Sequence, residues 1–118
     1  MSAKIDNSRG YVRISNNVIS KLAGYAATNC YGVVGMAVKS GKDGIAKLLK
    51  RENMDKGVKV KFFEDGLEIS LHIVVEYGIN ISTIGESIKN NVKYQVEEAT
   101  GIDVKSVIVN VEGIRVNQ

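Results

Sequence analysis

The stretch from Gly57 to Gly78, GVKVKFFEDGLEISLHIVVEYG, constrains the fold more than any other part of the chain. Two runs rich in β-branched and aromatic residues flank Asp65-Gly66, a dipeptide suited to positive φ at both centres of a type I′ turn, so the stretch reads as a β-hairpin. With Asp65 and Gly66 as the loop, Phe62 faces Ile69, Val60 faces Leu71 and Val58 faces Ile73. Slipping one strand by a single residue would turn this apolar ladder toward water, so the pattern specifies its own faces. The opposite face sets Lys59 against His72, Lys61 against Ser70 and Phe63 against Glu68, and is mixed and accessible.

The flanking segments supply the cover. Residues 1–9 are polar and aperiodic and read as a short flexible tail, leaving 10–116 as a single α+β domain. Gly10 to Ile14 reads as a strand. Ser15 then suits a helix N-cap, and Val18, Ile19, Leu22, Ala23, Ala26, Ala27 and Cys30 recur on one helical face. Gly24 inside that helix fits a close backbone approach. Tyr31-Gly32 closes the helix and Val33 to Val38 reads as a strand, a series that predicts a crossover between parallel strands. A short helix is expected where Ile45, Leu48 and Leu49 share a face, with loop at Asn53 to Lys56. After Gly78 the period changes: Ile81, Ile84, Ile88, Val92, Val96 and Ala99 form a helical stripe that Thr100-Gly101 stops. Val104 to Val116 alternates as a strand, with a bulge expected at Gly113. The expected fold is a two-layer α+β sandwich, order β-α-β-(short α)-β-β-α-β, with a mixed sheet and both long helices on one face.

A chain of 118 residues with 44% hydrophobic and 25% charged residues is of a size and kind to form one core. Cys30 is the single cysteine, so neither an internal disulfide nor a cysteine zinc site is available, and its place on the apolar stripe marks it as a small buried hydrophobe. No apolar run approaches the roughly 18 residues of a membrane span, and the N-terminus lacks the apolar core of a signal peptide. A cytoplasmic setting is expected, with any membrane association made through a partner. Charge is local: Lys39 to Lys61 carries eight basic and three acidic residues within a chain of net charge +3. Such a segment serves solubility, or attracts nucleic acid, anionic lipid or an acidic protein.

No catalytic constellation is legible. His72, the single histidine, sits mid-strand on the outer face beside Lys59, and reads as a surface histidine rather than a catalytic one. No cofactor or metal is implied. Gly41-Lys42-Asp43-Gly44 has the G-x-x-G form with which KH domains clamp a nucleic-acid backbone, and Lys47 follows it. The KH loop lies between two helices, however, whereas a strand precedes this one. RNA binding is therefore the alternative reading and a flexible connection the simpler one.

Taken together, Gly10-Tyr11-Val12-Arg13-Ile14-Ser15, Val18-Ile19, Ala26-Ala27 and Gly32-Val33-Val34-Gly35-Met36 closely resemble the bacterial alkaline shock protein (Gls-type) family of envelope stress response proteins. Lys56-Gly57-Val58-Lys59-Val60, Val74-Val75-Glu76-Tyr77-Gly78, Asn91-Val92, Thr100-Gly101 and Val109-Asn110-Val111-Glu112-Gly113-Ile114 continue the likeness to Ile114. The resemblance implies a non-enzymatic cytoplasmic protein of Gram-positive bacteria, tied to cell-envelope homeostasis and in some cases held at the membrane by an integral partner. Some compact relatives are linked with fatty-acid supply. This chain resembles the compact form, without long polar terminal extensions, and carries Ser82 where many relatives begin the helix with proline. A protein-interaction role follows, with Lys59, Lys61, Phe63, His72, Val74 and Ile108, together with Tyr11 and Arg13, as the expected partner face. An acidic or membrane-linked protein partner, or a second copy of the chain, is the expected occupant.

Overall fold

The computed structural model describes residues 2–7, 10–39, 46–49 and 51–115. In chain order these form β1 (Ser2–Asn7), β2 (Gly10–Ser15), α1 (Asn16–Thr28), β3 (Val33–Lys39), β4 (Ala46–Leu48), a 3-10 segment (Arg51–Gly57), β5 (Val58–Phe63), β6 (Gly66–Glu76), α2 (Ile81–Thr100) and β7 (Val104–Arg115).

The hairpin strand β6 is the axis. One of its edges is shared end to end by two antiparallel strands: β5 pairs from Phe63↔Gly66 to Val58↔Leu71, and β3 takes over at Met36↔Ile73 and ends at Val33↔Val75. The other edge pairs in parallel with β7 from Leu67↔Val104 to Glu76↔Arg115. β4 adds to the far side of β3, giving a mixed five-stranded sheet. Parallel neighbours need a long crossover, and α2 is that crossover.

Alternation puts Leu67, Ile69, Leu71 and Ile73 on one face, where they meet Ile19, Ala23, Ala26 and Ala27 of α1 and Ile84, Ile88, Val92 and Val96 of α2 in a single buried core. Val60 and Phe62 pack at its margin. Both long helices therefore lie on one face, and the two-layer α+β sandwich stands. The ends of α2 follow their sequence signals. Asn80 caps the start by accepting the Thr83 N–H at 3.1 Å, and Gly101, left-handed at φ +73°, closes the end through its N–H to the Glu97 carbonyl.

The hairpin register differs from the expected one by two residues. Glu64 and Asp65 form the loop, so Phe62 faces Leu67, Val60 faces Ile69 and Val58 faces Leu71. A shift of two preserves every face, which is why the core is as expected. The physical reason lies at Gly66. No described non-glycine residue has positive φ, whereas Gly66 sits at +145°. The Asp103 carbonyl oxygen lies 2.6 Å from where a Cβ on Gly66 would be and accepts the Leu67 N–H at 2.9 Å. Glycine is required here by the entry to β7, not by a type I′ turn.

Three further differences have local causes. Where the sequence suggests a tail, Ser2–Asn7 forms β1, paired with β2 in a separate two-stranded ribbon; only two residues separate the strands, so closure entropy is small. Tyr11 and Arg13 thus belong to this ribbon rather than to the main sheet, and the parallel crossover is β6–α2–β7 rather than one around α1. Instead of a short helix, Ala46–Leu48 pairs with β3 and Leu49 N–H donates to the Met36 carbonyl at 2.8 Å. The edge of β3 facing away from β6 needs partners, which a strand supplies and a helical turn does not. The segment expected as loop before β5 is the 3-10 turn, whose Met54 packs against the core and lies beside Gly24.

Candidate functional site

The face of the sheet turned away from the helices is built by the other half of the alternation. Across β5, β6 and β7 it runs in two full rows, Lys59–Ser70–Ile108 and Lys61–Glu68–Ser106, with His72 opposite Asn110 beyond them. Lys59 and Lys61 are exposed, as are Phe63 (45%) and Ile108 (43%). Lys105 Nζ stands 4.6 Å from the centroid of the Phe63 ring and 3.5 Å from Asp65 Oδ1, which fixes the ring at the hairpin end of the face.

Two residues expected on this face stand differently. Val74 is only 3% exposed and so is not available for docking. Both neighbours of β6 bulge at its level: the register skips Val34 on β3 and Glu112 on β7. The interruption expected at Gly113 thus falls one residue earlier. Bulges sharpen local twist and re-aim side chains. Here the bulged residue is Glu112, whose Oε2 lies 3.2 Å from His72 Nδ1, a distance at which Nδ1–H donates to the carboxylate. His72 therefore has a carboxylate beside it, not Lys59, and the Glu112 side chain is only 9% exposed.

The polar groups along this row satisfy one another. Asn110 Nδ2 donates to Ser70 Oγ and to the Leu71 carbonyl, both at 3.1 Å. The Ser70 hydroxyl is thus held by an amide donor rather than by a base that could activate it. Among the described residues no three histidine, cysteine, aspartate or glutamate side chains are grouped to hold a metal. Cys30 lies on the other side of the sheet, where burial pushes its thiol pKa up and the Asn91 amide, 3.7 Å from Sγ, works in the opposite direction. Cys30 is half-buried rather than fully buried as its place on the apolar stripe suggests, and the raised pKa keeps it in the thiol form at neutral pH.

What remains is a surface with two apolar anchors, Phe63 and Ile108, set among Lys59, Lys61 and Lys105. It can bind a partner that brings apolar side chains and carboxylates. Sequence reasoning missed Lys105, Asn110 and Glu112. Alternation from Ile108 points to both Asn110 and Glu112, but nothing local says which β6 residues they meet; the bulge at Glu112 leaves it without a register partner and sets its carboxylate beside His72. The Gly41-Lys42-Asp43-Gly44 stretch lies outside the described residues. Its flanking elements, β3 and β4, are both strands, and the backbone of Lys47 is in β4 rather than on a helix.

A family profile described as the alkaline shock protein 23 family, cell envelope-related function, matches residues 4–116. The uncharacterized protein YloU of Bacillus subtilis (strain 168) is 41% identical over 117 residues, covering 98% of each chain. A Streptococcus pyogenes (serotype M3) protein described as a stress response regulator gls24 homolog is 32% identical over 110 residues, which span 93% of this chain and 62% of that one. Among solved structures, one described as MamM CTD H264E covers 86% of this chain and 94% of its own at 13% identity and a TM-score of 0.47. No helix among the described residues is long and apolar enough to cross a membrane.

Proposed function

The chain belongs to the alkaline shock protein 23 family, a family with a cell envelope-related function, and from that premise we propose that it is a non-enzymatic adaptor in envelope stress or lipid homeostasis. It acts by docking a protein partner on the uncovered face of the sheet. The observation that carries this reading is the inequality of the two faces. One is sealed by α1 and α2 over a continuous core, while the other presents Phe63 and Ile108 to solvent among three lysines. The lysines share the face with Glu68, opposite Lys61, and with Asp65, beside Lys105, so the charge is mixed; Phe63 and Ile108 supply the hold on an apolar partner, and Lys59 and Lys61 orient its carboxylates. The protein works in the cytoplasm and reaches the membrane through such a partner. The relative described as a stress response regulator homolog supports the stress side of this reading.

The test replaces Lys59 and Lys61 together by glutamate. Both side chains are exposed, so folding is left intact. Crosslinked capture from native cells should fall sharply while the melting temperature stays put. Capture at wild-type strength by the folded double variant would end this assignment of the docking face.

A further inference from the structure

The free edge of β7 has a shape that the partner face does not explain. Among the described residues β7 pairs with β6 alone, so its other edge offers a row of unpaired backbone groups. Sheet edges in soluble proteins are commonly guarded by charge, proline or bulges. Here the register skips at Lys105 and at Glu112, but from Ser106 to Val111 the strand is regular and carries no charge. Beside this stretch, between β7 and the first turns of α2, runs a groove of about 320 Å³ with Ile81, Gly85, Val109 and Val111 along its floor and Glu86 and Lys89 on its rim. Ile81 is exposed although it belongs to the apolar stripe of the helix. A Cβ on Gly85 would have no neighbour within 4 Å, so the groove is open above it.

We propose that this edge is where a second copy of the chain binds, β7 against β7, antiparallel about a twofold axis at Val109. The groove lies on the helix side of the sheet, opposite the partner face, and the two surfaces share only Ile108 and Asn110, whose side chains stay on the outward side of the paired strands. Two features of the chain select its own copy over another strand. The inward side chains are symmetric about Val109: Val107 of one copy meets Val111 of the other, Val109 meets Val109, and the outward residues pair Ile108 with Asn110. A twofold interface requires such self-complementarity. The rim is self-complementary as well. Glu86 and Lys89 lie one turn apart and pair within the chain at 4.0 Å, and antiparallel helices across the axis would extend this pair into a network by bringing Glu86 of each copy toward Lys89 of the other. Gly85, lacking a side chain, lets the two helices approach. The product is one continuous sheet across both copies, with both unguarded edges paired and both partner faces on the same side.

Sedimentation equilibrium on the full chain tests this. The wild type should be dimeric at high micromolar concentration. Gly85→Lys fills the groove with a charge and improves helix propensity, so it should be monomeric with an unchanged or raised melting temperature. Glu86→Lys should raise Kd about tenfold by setting lysines against lysines, and adding Lys89→Glu should restore it. In a Cys30→Ala background, Val109→Cys should form a disulfide between copies on mild oxidation. A wild type that stays monomeric, a dimer that survives Gly85→Lys, or a Kd that the charge swap does not restore would overturn the proposal.

Discussion

Replacing Gly66 by alanine separates the observed hairpin from the one its turn sequence suggests. A Cβ at position 66 would stand 2.6 Å from the Asp103 carbonyl oxygen, 3.3 Å from its carbon and 3.4 Å from the Lys105 nitrogen, all backbone atoms with nowhere to swing. Relief requires the Asp103 peptide to move, which breaks its bond from the N–H of buried Leu67. Losing the partner of a buried backbone donor costs about 1–3 kcal/mol, and holding alanine at φ +145° costs about 1–3 kcal/mol more. The expected loss is about 2–6 kcal/mol, a large part of the stability of a small domain. Gly78 is the control: its φ is +87°, but a Cβ there meets nothing within 4 Å, so Gly78→Ala should lose only about 1–2 kcal/mol. Urea unfolding of both variants, with equal m-values, measures the difference. Were Asp65 and Gly66 the two loop residues, position 66 would lie in an open turn and the variants would be equal. Equal losses would therefore refute the register and the role given to Asp103.

Three further outcomes follow from the packing. Leu71 is fully buried between the two helices and the sheet, so Leu71→Ala should lose about 2–5 kcal/mol in the same assay, against less than about 0.5 kcal/mol for an exposed site. Thr100 is buried and its hydroxyl both donates to the Val96 carbonyl at 2.7 Å and accepts the Ile102 N–H at 3.1 Å, so Thr100→Val should cost about 1–3 kcal/mol of unfolding free energy. The raised Cys30 pKa means that the folded chain holds the thiol proton more tightly than the unfolded one. The stability this adds is present at pH below the ordinary thiol value of 9.0 and fades as pH rises through the higher folded value. Thiolate absorbance against pH should show a later titration in the native than in the urea-unfolded chain, and Asn91→Ala should delay it further.

Much of the fold was legible because it rests on period. Val58, Val60 and Phe62 against Leu67, Ile69 and Leu71 declare their face at any even register, and Ile84, Ile88, Val92 and Val96 do the same for α2. What the chain concealed depends on distant partners. Asp65-Gly66 has the composition of a tight turn, and nothing local says that Asp103 will approach Gly66. Ile45, Leu48 and Leu49 fit one helical face, yet β3 had an edge to fill and β4 filled it. The polar opening residues gave no period from which to read a ribbon. At the candidate site, Lys59, Lys61, Phe63 and Ile108 were readable from alternation. The His72–Glu112 pair was not, because it joins residues forty apart through a parallel register and a bulge.

The central claim is that the uncovered sheet face docks the partner. The most direct measurement places a photo-crosslinking amino acid at Phe63, at Ile108 and, as control, at Tyr94, which is at least as exposed on α2. Irradiation in native cells should yield from positions 63 and 108 the same crosslink to a protein other than the chain itself, distinct from any crosslink of position 108 to a second copy, and this species should be lost when Lys59→Glu and Lys61→Glu are added. Position 94 should give none of it. Crosslinks of equal strength from position 94, or crosslinks at 63 and 108 indifferent to the charge reversal, would contradict the account.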